Sequence, residues 1–365
     1  MMRPPSRVGV IIIFRIYTGA QTIMPMRVTT SMLLLLAATG ADALKVAVTG
    51  ATGKVGRLAV QKLVAGGNTA RILLRHPVSE PSEPSDPSTP PPGDADSVTV
   101  ARYLMGLKNV EAVRGDINDA QSLETLLVGC SAVLAVHGAR RQLRPSDFWT
   151  DATLDPAHAK NVNFEGIKNL IAAAKASRTC KRIVRITGKG ETPWSIFSIL
   201  INGLGGMAKA WNNEGERLLR AAASDGIEYT IVRPGVMRGE EGDLEPSSLA
   251  LADDGGDLKV TAIPHGSIAS LCIDSLAYPN AAGATLTAMQ AEEPGRGESS
   301  WAPLLANVKP DRREFRTDLL EAHFTAVRVG GTALALALGA FAFGALSALK
   351  AIVGVVVGLI SRMLA

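Results

Sequence analysis

"AVTGATGKVGRL", residues 47–58, places Gly50, Gly53 and Gly56 three residues apart, after a β-branched run and before an amphipathic stretch. A strand that turns abruptly into a helix needs such spacing. The first glycine makes the tight turn, the second lets backbone approach a ligand, and the third lets helix pack closely on sheet. The helix then directs free amides and the positive end of its dipole outward, which suits a dinucleotide pyrophosphate. The context supports this reading, because Lys45–Thr49 has the pattern of a buried strand. In the following helix, Val55, Leu58, Ala59 and Leu63 form one apolar face opposite Arg57 and Lys62. A P-loop is excluded, since Val55 rather than Ser or Thr follows Lys54.

Outward from this motif, short apolar runs near 45–49, 70–74, 110–114, 131–136, 182–187 and 228–233 alternate with helical patterns. The helices are expected near 54–66, 120–128, 161–177 and 208–224, with a further helix at 266–277 and a strand at 284–289. That alternation predicts an α/β, doubly wound parallel Rossmann sheet covered on both faces. The domain is expected over residues 44–290. Within it, "PVSEPSEPSDPSTPPPGDADS" (77–97) is Pro- and Ser-rich with almost no apolar content, and reads as a disordered insertion. Residues 236–262 read as an irregular cap.

Residues 1–43 read as a targeting leader, because Arg27 precedes "MLLLLAA" and the small-residue site Ala41-Asp42-Ala43. Residues 291–328 are polar and irregular, as in a linker. Residues 329–349, "VGGTALALALGAFAFGALSAL", carry no charge and are long enough to cross a bilayer core of about 30 Å. After Lys350, Gly354 and Gly358 form a GxxxG pair in "AIVGVVVGLI". Residues 329–365 are therefore expected to be a C-terminal hydrophobic helical membrane segment, crossing once or folding back as a hairpin.

The net charge of +4 resides in residues 1–41, whose four arginines face no acid, and the remainder holds 34 basic and 34 acidic residues. A neutral body argues against nucleic-acid binding. Cys130, Cys180 and Cys272 are far apart and have no companion ligands at metal spacing, so they read as buried thiols, with no metal site expected.

At the end of the second strand, in "RILLRHP", stands Arg75, with no acid before Glu80. An acid there would accept hydrogen bonds from a ribose 2′-hydroxyl, whereas an arginine pairs with a 2′-phosphate. NADP(H) is therefore favoured over NAD(H). Asp116, in "RGDIND", is positioned to approach an adenine edge or to serve as a plain turn residue. The expected coenzyme residues are Thr49, Gly50, Thr52, Gly53, Lys54, Val55, Gly56, Arg75, Asp116, Ile117 and Thr187.

"TGATGKVG" (49–56), "GDINDAQSLETLLVGCSAVL" (115–134), "VNFEGIKNLIAAA" (162–174) and "GERLLRAAASDGIEYTIVRPG" (215–235) together resemble the atypical short-chain dehydrogenase/reductase family, in its NmrA-like, NAD(P)H-binding branch. The resemblance implies a Rossmann fold, a bound NADP(H) and a substrate cleft built by the last third of the domain. Catalytic members of the wider superfamily use a Tyr-x-x-x-Lys pair, whose lysine lowers the tyrosine pKa for proton exchange with a carbonyl oxygen. None of Tyr17, Tyr103, Tyr229 and Tyr278 has lysine four residues on, and Ala208 and Asn212 stand where the pair would be. The family's serine is replaced by Thr187 and Gly188.

No catalytic residue is assigned. Lys189, Lys209 and Glu214 are ionisable groups expected on the nicotinamide side, and His137, in "AVHGARR", lies at the carboxyl edge where ligands collect. Trp194 and Trp211 suit an apolar substrate, the core or a membrane interface. Two functions stay open: a membrane-anchored oxidoreductase acting on an unidentified small molecule, and a non-catalytic NADPH-sensing scaffold or assembly factor for an organellar membrane complex. Leader and tail point to an organelle or endomembrane, and the resemblance points first to a plastid.

Overall fold

The computed structural model describes residues 43–341, apart from 80, 82, 240–247, 257 and 294, together with 343, 344, 350 and 353. The expected leader up to residue 42, and the second apolar run with Gly354 and Gly358, lie outside the described residues.

The first half alternates strictly: β1 (Lys45–Thr49), α1 (Lys54–Ala65), β2 (Thr69–Leu74), α2 (Ser97–Gly106), β3 (Val110–Arg114), α3 (Ala120–Leu127) and β4 (Ala132–Ala135). A π-helical turn (Lys160–Glu165) leads into α4 (Gly166–Ser177). Next come β5 (Arg182–Ile186), α5 (Ile196–Leu204), α6 (Ala208–Ala222) and β6 (Glu228–Pro234). The remainder comprises β7 (Val236–Met237), β8 (Leu249–Ala252), β9 (Ala262–Ile263), α7 (His265–Asp274), β10 (Ala284–Gln290), α8 (Trp301–Ala306) and α9 (Leu319–Ala326).

The main sheet has the order β3-β2-β1-β4-β5-β6-β10-β8, parallel except for the β8 edge. β1 and β4 meet where the strand order reverses, with Val46 opposite both Ala70 and Ala132. In an open α/β sheet, that switch point is where ligands bind, outside the strands' carboxyl ends. The strands read as unbroken apolar runs because both faces are covered: Val46 and Val48 pack with α1 and α7, while Ala47 packs with α3 and α4.

Several segments differ from expectation: the expected cap at 236–262 supplies the edge strand β8, residues 196–204, where no helix is expected, form α5, and three further stretches depart as follows. The insertion at 77–97 makes no core of its own, yet its described residues are tied to neighbouring helices. The Pro92 carbonyl accepts from Arg57 (2.8 Å), and the Ser85 amide donates to Gly106 (2.9 Å). α2 follows it, capped by Asp96, which accepts from the Val98 and Thr99 amides.

Residues 291–328, expected as a linker, instead contribute packed helices. Trp301 of α8 is buried and donates from Nε1 to the Ser267 carbonyl (2.7 Å). His323 of α9 is buried against the Gly190 carbonyl (2.7 Å). The apolar helix starts earlier than 329: from Leu319 it runs 23 residues to Phe341, long and apolar enough to cross a membrane by length and composition.

Candidate coenzyme cleft

The turn between β1 and α1 is as compact as its glycines allow. Gly50 has φ +78°, and a Cβ there would lie 2.7 Å from the His137 Cα; a Cβ on Gly56 would meet the Gly50 carbonyl oxygen at 2.1 Å. Both positions require glycine. Gly53 caps α1 without any side-chain hydrogen bond, and no acid stands in the first turn. The opening amides of a helix have no acceptors within it, so this end is equipped for an anion.

A cleft of about 500 Å³ opens in front of these amides. Thr49, Gly50, Thr52 and Gly53 form its floor, with Arg75 from the end of β2 and Asp116 and Ile117 from the end of β3. Of the other expected coenzyme residues, Lys54 is exposed beside the cleft, while Val55 is buried in the core. Asp116 accepts from the Asn118 amide (2.9 Å), which fixes the turn. Thr187 does not line the cleft. Its hydroxyl donates to Glu216 (2.6 Å), part of a buried charge cluster behind the sheet edge.

The cleft contains residues that motif spacing did not single out. Arg140 lies over the glycine turn, its Nη2 3.4 Å from where a Gly53 Cβ would be. Like Arg75, it has no ion pair among the described residues. Its neighbour Arg141 is bound to Asp147 and, at 2.7 Å, to Asp155. The double-arginine end of "AVHGARR" was the available signal, but sequence alone does not reveal which arginine is neutralised. Val98 and Ala101 of α2 form an apolar wall.

His137 stands between cleft and sheet, with Nδ1 2.7 Å from the Thr49 hydroxyl. Burial, and secondarily the Arg185 charge, pull its pKa well below 6.5, against a smaller opposing contribution from the Val162 backbone. The ring is therefore neutral at physiological pH. Arg185 is itself buried, donating to the carbonyls of Ala135 (3.0 Å) and His137 (2.5 Å) and to Asn212 (3.1 Å). Burial lowers its pKa to about 10, which leaves it cationic.

A family model described as NAD(P)H-binding matches residues 50–279. The chain belongs to the NAD(P)H-binding family. Its glycine turn, open helix amides and flanking arginines fit the diphosphate and ribose portions of that family's coenzyme. An uncharacterized chloroplastic protein of Arabidopsis thaliana is 27% identical over 176 residues, 46% of this chain and 51% of that protein. Protein TIC 62, chloroplastic, of Pisum sativum is 26% identical over 194 residues, 52% of this chain and 32% of that protein. The chain thus spans about half the length of the first relative and a third of the second. Among solved structures, a Bacillus halodurans protein named for NAD-dependent epimerases/dehydratases shares the fold, with TM-score 0.50 and 15% identity. That match covers 70% of this chain and 97% of the other.

The remaining candidates from the sequence lie elsewhere. Lys189 donates to the Leu258 carbonyl (3.1 Å), Lys209 to Ser198 (2.7 Å), and Glu214 pairs with Arg217. Trp211 packs between Phe164 and Phe324, whereas Trp194 is exposed. Asn212, at the position read as the lysine's, is engaged by Arg185, and no tyrosine lines the cleft among the described residues.

Proposed function

We propose that the chain is an NADP(H)-binding protein anchored to a plastid membrane by its C-terminal helix, an atypical reductase lacking the tyrosine–lysine acid pair. The observation that carries the coenzyme preference is the pair of cations Arg75 and Arg140 on the cleft, neither with an ion pair among the described residues. An unpaired guanidinium suits a phosphate, which it binds bidentately. Arg75, at the end of β2, would hold the 2′-phosphate. Arg140, over the glycine turn, would hold the diphosphate together with the α1 amides. The chloroplastic relatives support the plastid assignment, and the 23-residue apolar helix supports anchoring.

When bound, the coenzyme supplies a hydride. His137, neutral near pH 7, is poorly suited to act as a general acid, and no tyrosine or lysine lines the cleft among the described residues. That favours an acceptor whose reduced form is stable as an anion, such as a quinone, over a simple ketone. The same lack of an acid favours a second reading, a coenzyme-sensing scaffold. Steady-state oxidation of NADPH against carbonyl and quinone panels separates them: quinone turnover supports the reductase, tight NADPH binding without turnover supports the scaffold, and carbonyl turnover refutes the argument from the missing acid.

A further inference from the structure

α5 turns most of its large apolar side chains outward and two polar ones inward. A helix on a water-soluble domain turns apolar side chains inward and polar ones outward. Here Ser198 and Asn202 are buried beside Ile199, at 0% and 1% exposure, while Ile196, Phe197, Leu200 and Leu204 are 43–65% exposed. The inward polar groups are satisfied: Asn202 Oδ1 accepts from the Lys209 amide (2.9 Å), and its Nδ2 meets His323 Nδ1 (2.9 Å). The arrangement is therefore specified on both sides. The whole stretch 192–208 carries no charge, and exposed Trp194 extends the apolar stripe.

This surface adjoins the apolar helix. A Cβ on Gly330 would lie 2.7 Å from Ile199 Cδ1 and 4.0 Å from the Trp194 ring, so α5 lies against that helix where it leaves the domain. Beyond this contact the helix exposes Leu336, Leu338 and Phe341. The two apolar surfaces are continuous. Cations mark their border: Arg328 precedes the exposed run, and the Lys209 ammonium sits 5.4 Å from the Phe197 ring centroid. Basic groups reaching toward headgroups, with aromatic rings beside them, are features of a membrane boundary.

We propose that α5 is an interfacial membrane helix, seated at the headgroup and acyl boundary so that the domain rests on the bilayer instead of hanging from a free tether. Its occupant is lipid. An interfacial helix of this kind buries its apolar face in the boundary region parallel to the membrane plane, and nine residues cover about 13 Å. The seat also orients the cleft, because the Leu143 amide, on the loop following Arg140 and Arg141, donates to the Leu204 carbonyl at the end of α5 (2.7 Å). This inference rests on the reading that the C-terminal helix enters a membrane.

The test uses the full chain in phosphatidylcholine vesicles. Its cysteines at 130, 180 and 272 are buried, so one introduced surface cysteine takes a single environment-sensitive fluorophore. Ile196→Cys reports the platform, Phe341→Cys the anchor, and Val128→Cys the turn between α3 and β4, at the amino ends of the strands; all three positions are exposed. Doxyl-labelled lipid is expected to quench the labels at 196 and 341 and spare that at 128. Quenching at 341 alone overturns the platform while leaving the anchor standing. Quenching at neither overturns both. A blue-shifted but unquenched label at 196, with quenching at 341, shows that protein covers this face, a second copy or another chain, and also overturns the proposal.

Discussion

Replacing Glu216 with Gln tests the charge cluster behind the sheet edge. Glu216 and Arg233 are 1% and 2% exposed, and the carboxylate accepts from Arg233 Nε (3.0 Å) and Nη2 (2.5 Å), Arg220 (2.9 Å) and Thr187 (2.6 Å). The substitution keeps the shape and removes the charge. Among the described residues Arg233 then retains only the Glu191 carboxylate, at 2.8 Å, while Arg220 retains Asp311, at 3.5 Å. Stranding one partner of a buried pair costs about 3–5 kcal/mol. At about 2–4 °C per kcal/mol for a domain of this size, the melting midpoint by far-ultraviolet circular dichroism is expected to fall by roughly 6–20 °C.

The pH dependence carries a sign. Burial alone would raise the Glu216 carboxyl, but Arg233, Arg220 and the Thr187 hydroxyl outweigh it and hold the pKa at about 2, below the ordinary 4.5. The stabilisation is thus complete above pH 4.5 and is lost as pH falls toward 2. The gap between wild type and variant should close across that window. A midpoint change under about 2 °C at pH 7, well below the cost expected for a broken buried pair, would refute the reasoning.

Thr187→Val should cost about 1 kcal/mol of stability and leave NADPH affinity unchanged, because its hydroxyl serves Glu216; a large affinity loss in a binding titration would return it to the coenzyme site. Arg75→Ala should weaken NADPH by about 10- to 100-fold and NADH hardly at all, read as separate dissociation constants. Gly50→Ala should abolish coenzyme binding and lower the melting midpoint, since φ +78° alone costs about 1–2 kcal/mol and the new methyl meets the His137 backbone. His137 and His158 both have lowered pKa values, chiefly from burial, so the unfolded chain binds more protons as pH falls below 6.5. Thermal stability should therefore decline between pH 7 and 5, and His137→Asn should flatten that decline.

The sheet was legible because its strands are buried on both faces and appear as apolar runs between glycine and helical patterns. α1, α3, α4 and α6 were legible because each keeps an apolar stripe toward the sheet. α2 was obscured by the Pro/Ser tract before it, although Asp96 and the spacing of Val100, Ala101 and Leu104 were available. α5 eluded the periodicity argument for a physical reason: its polar residues face inward, so its pattern does not point to a water-facing side. The charge cluster was invisible because Glu191, Glu216, Arg233 and Arg313 meet only in the fold. Arg140 could be seen as basic but not as unpaired, since its neighbour takes both aspartates.

Calorimetric titration of the full chain in mild detergent, with NADPH and with NADH, tests the coenzyme cleft most directly. Saturable heat at one site per chain is expected, with NADPH the tighter ligand. Absence of heat from either coenzyme at millimolar concentration would contradict that expectation, and the roles given to Gly50, Arg75 and Arg140 would fall together.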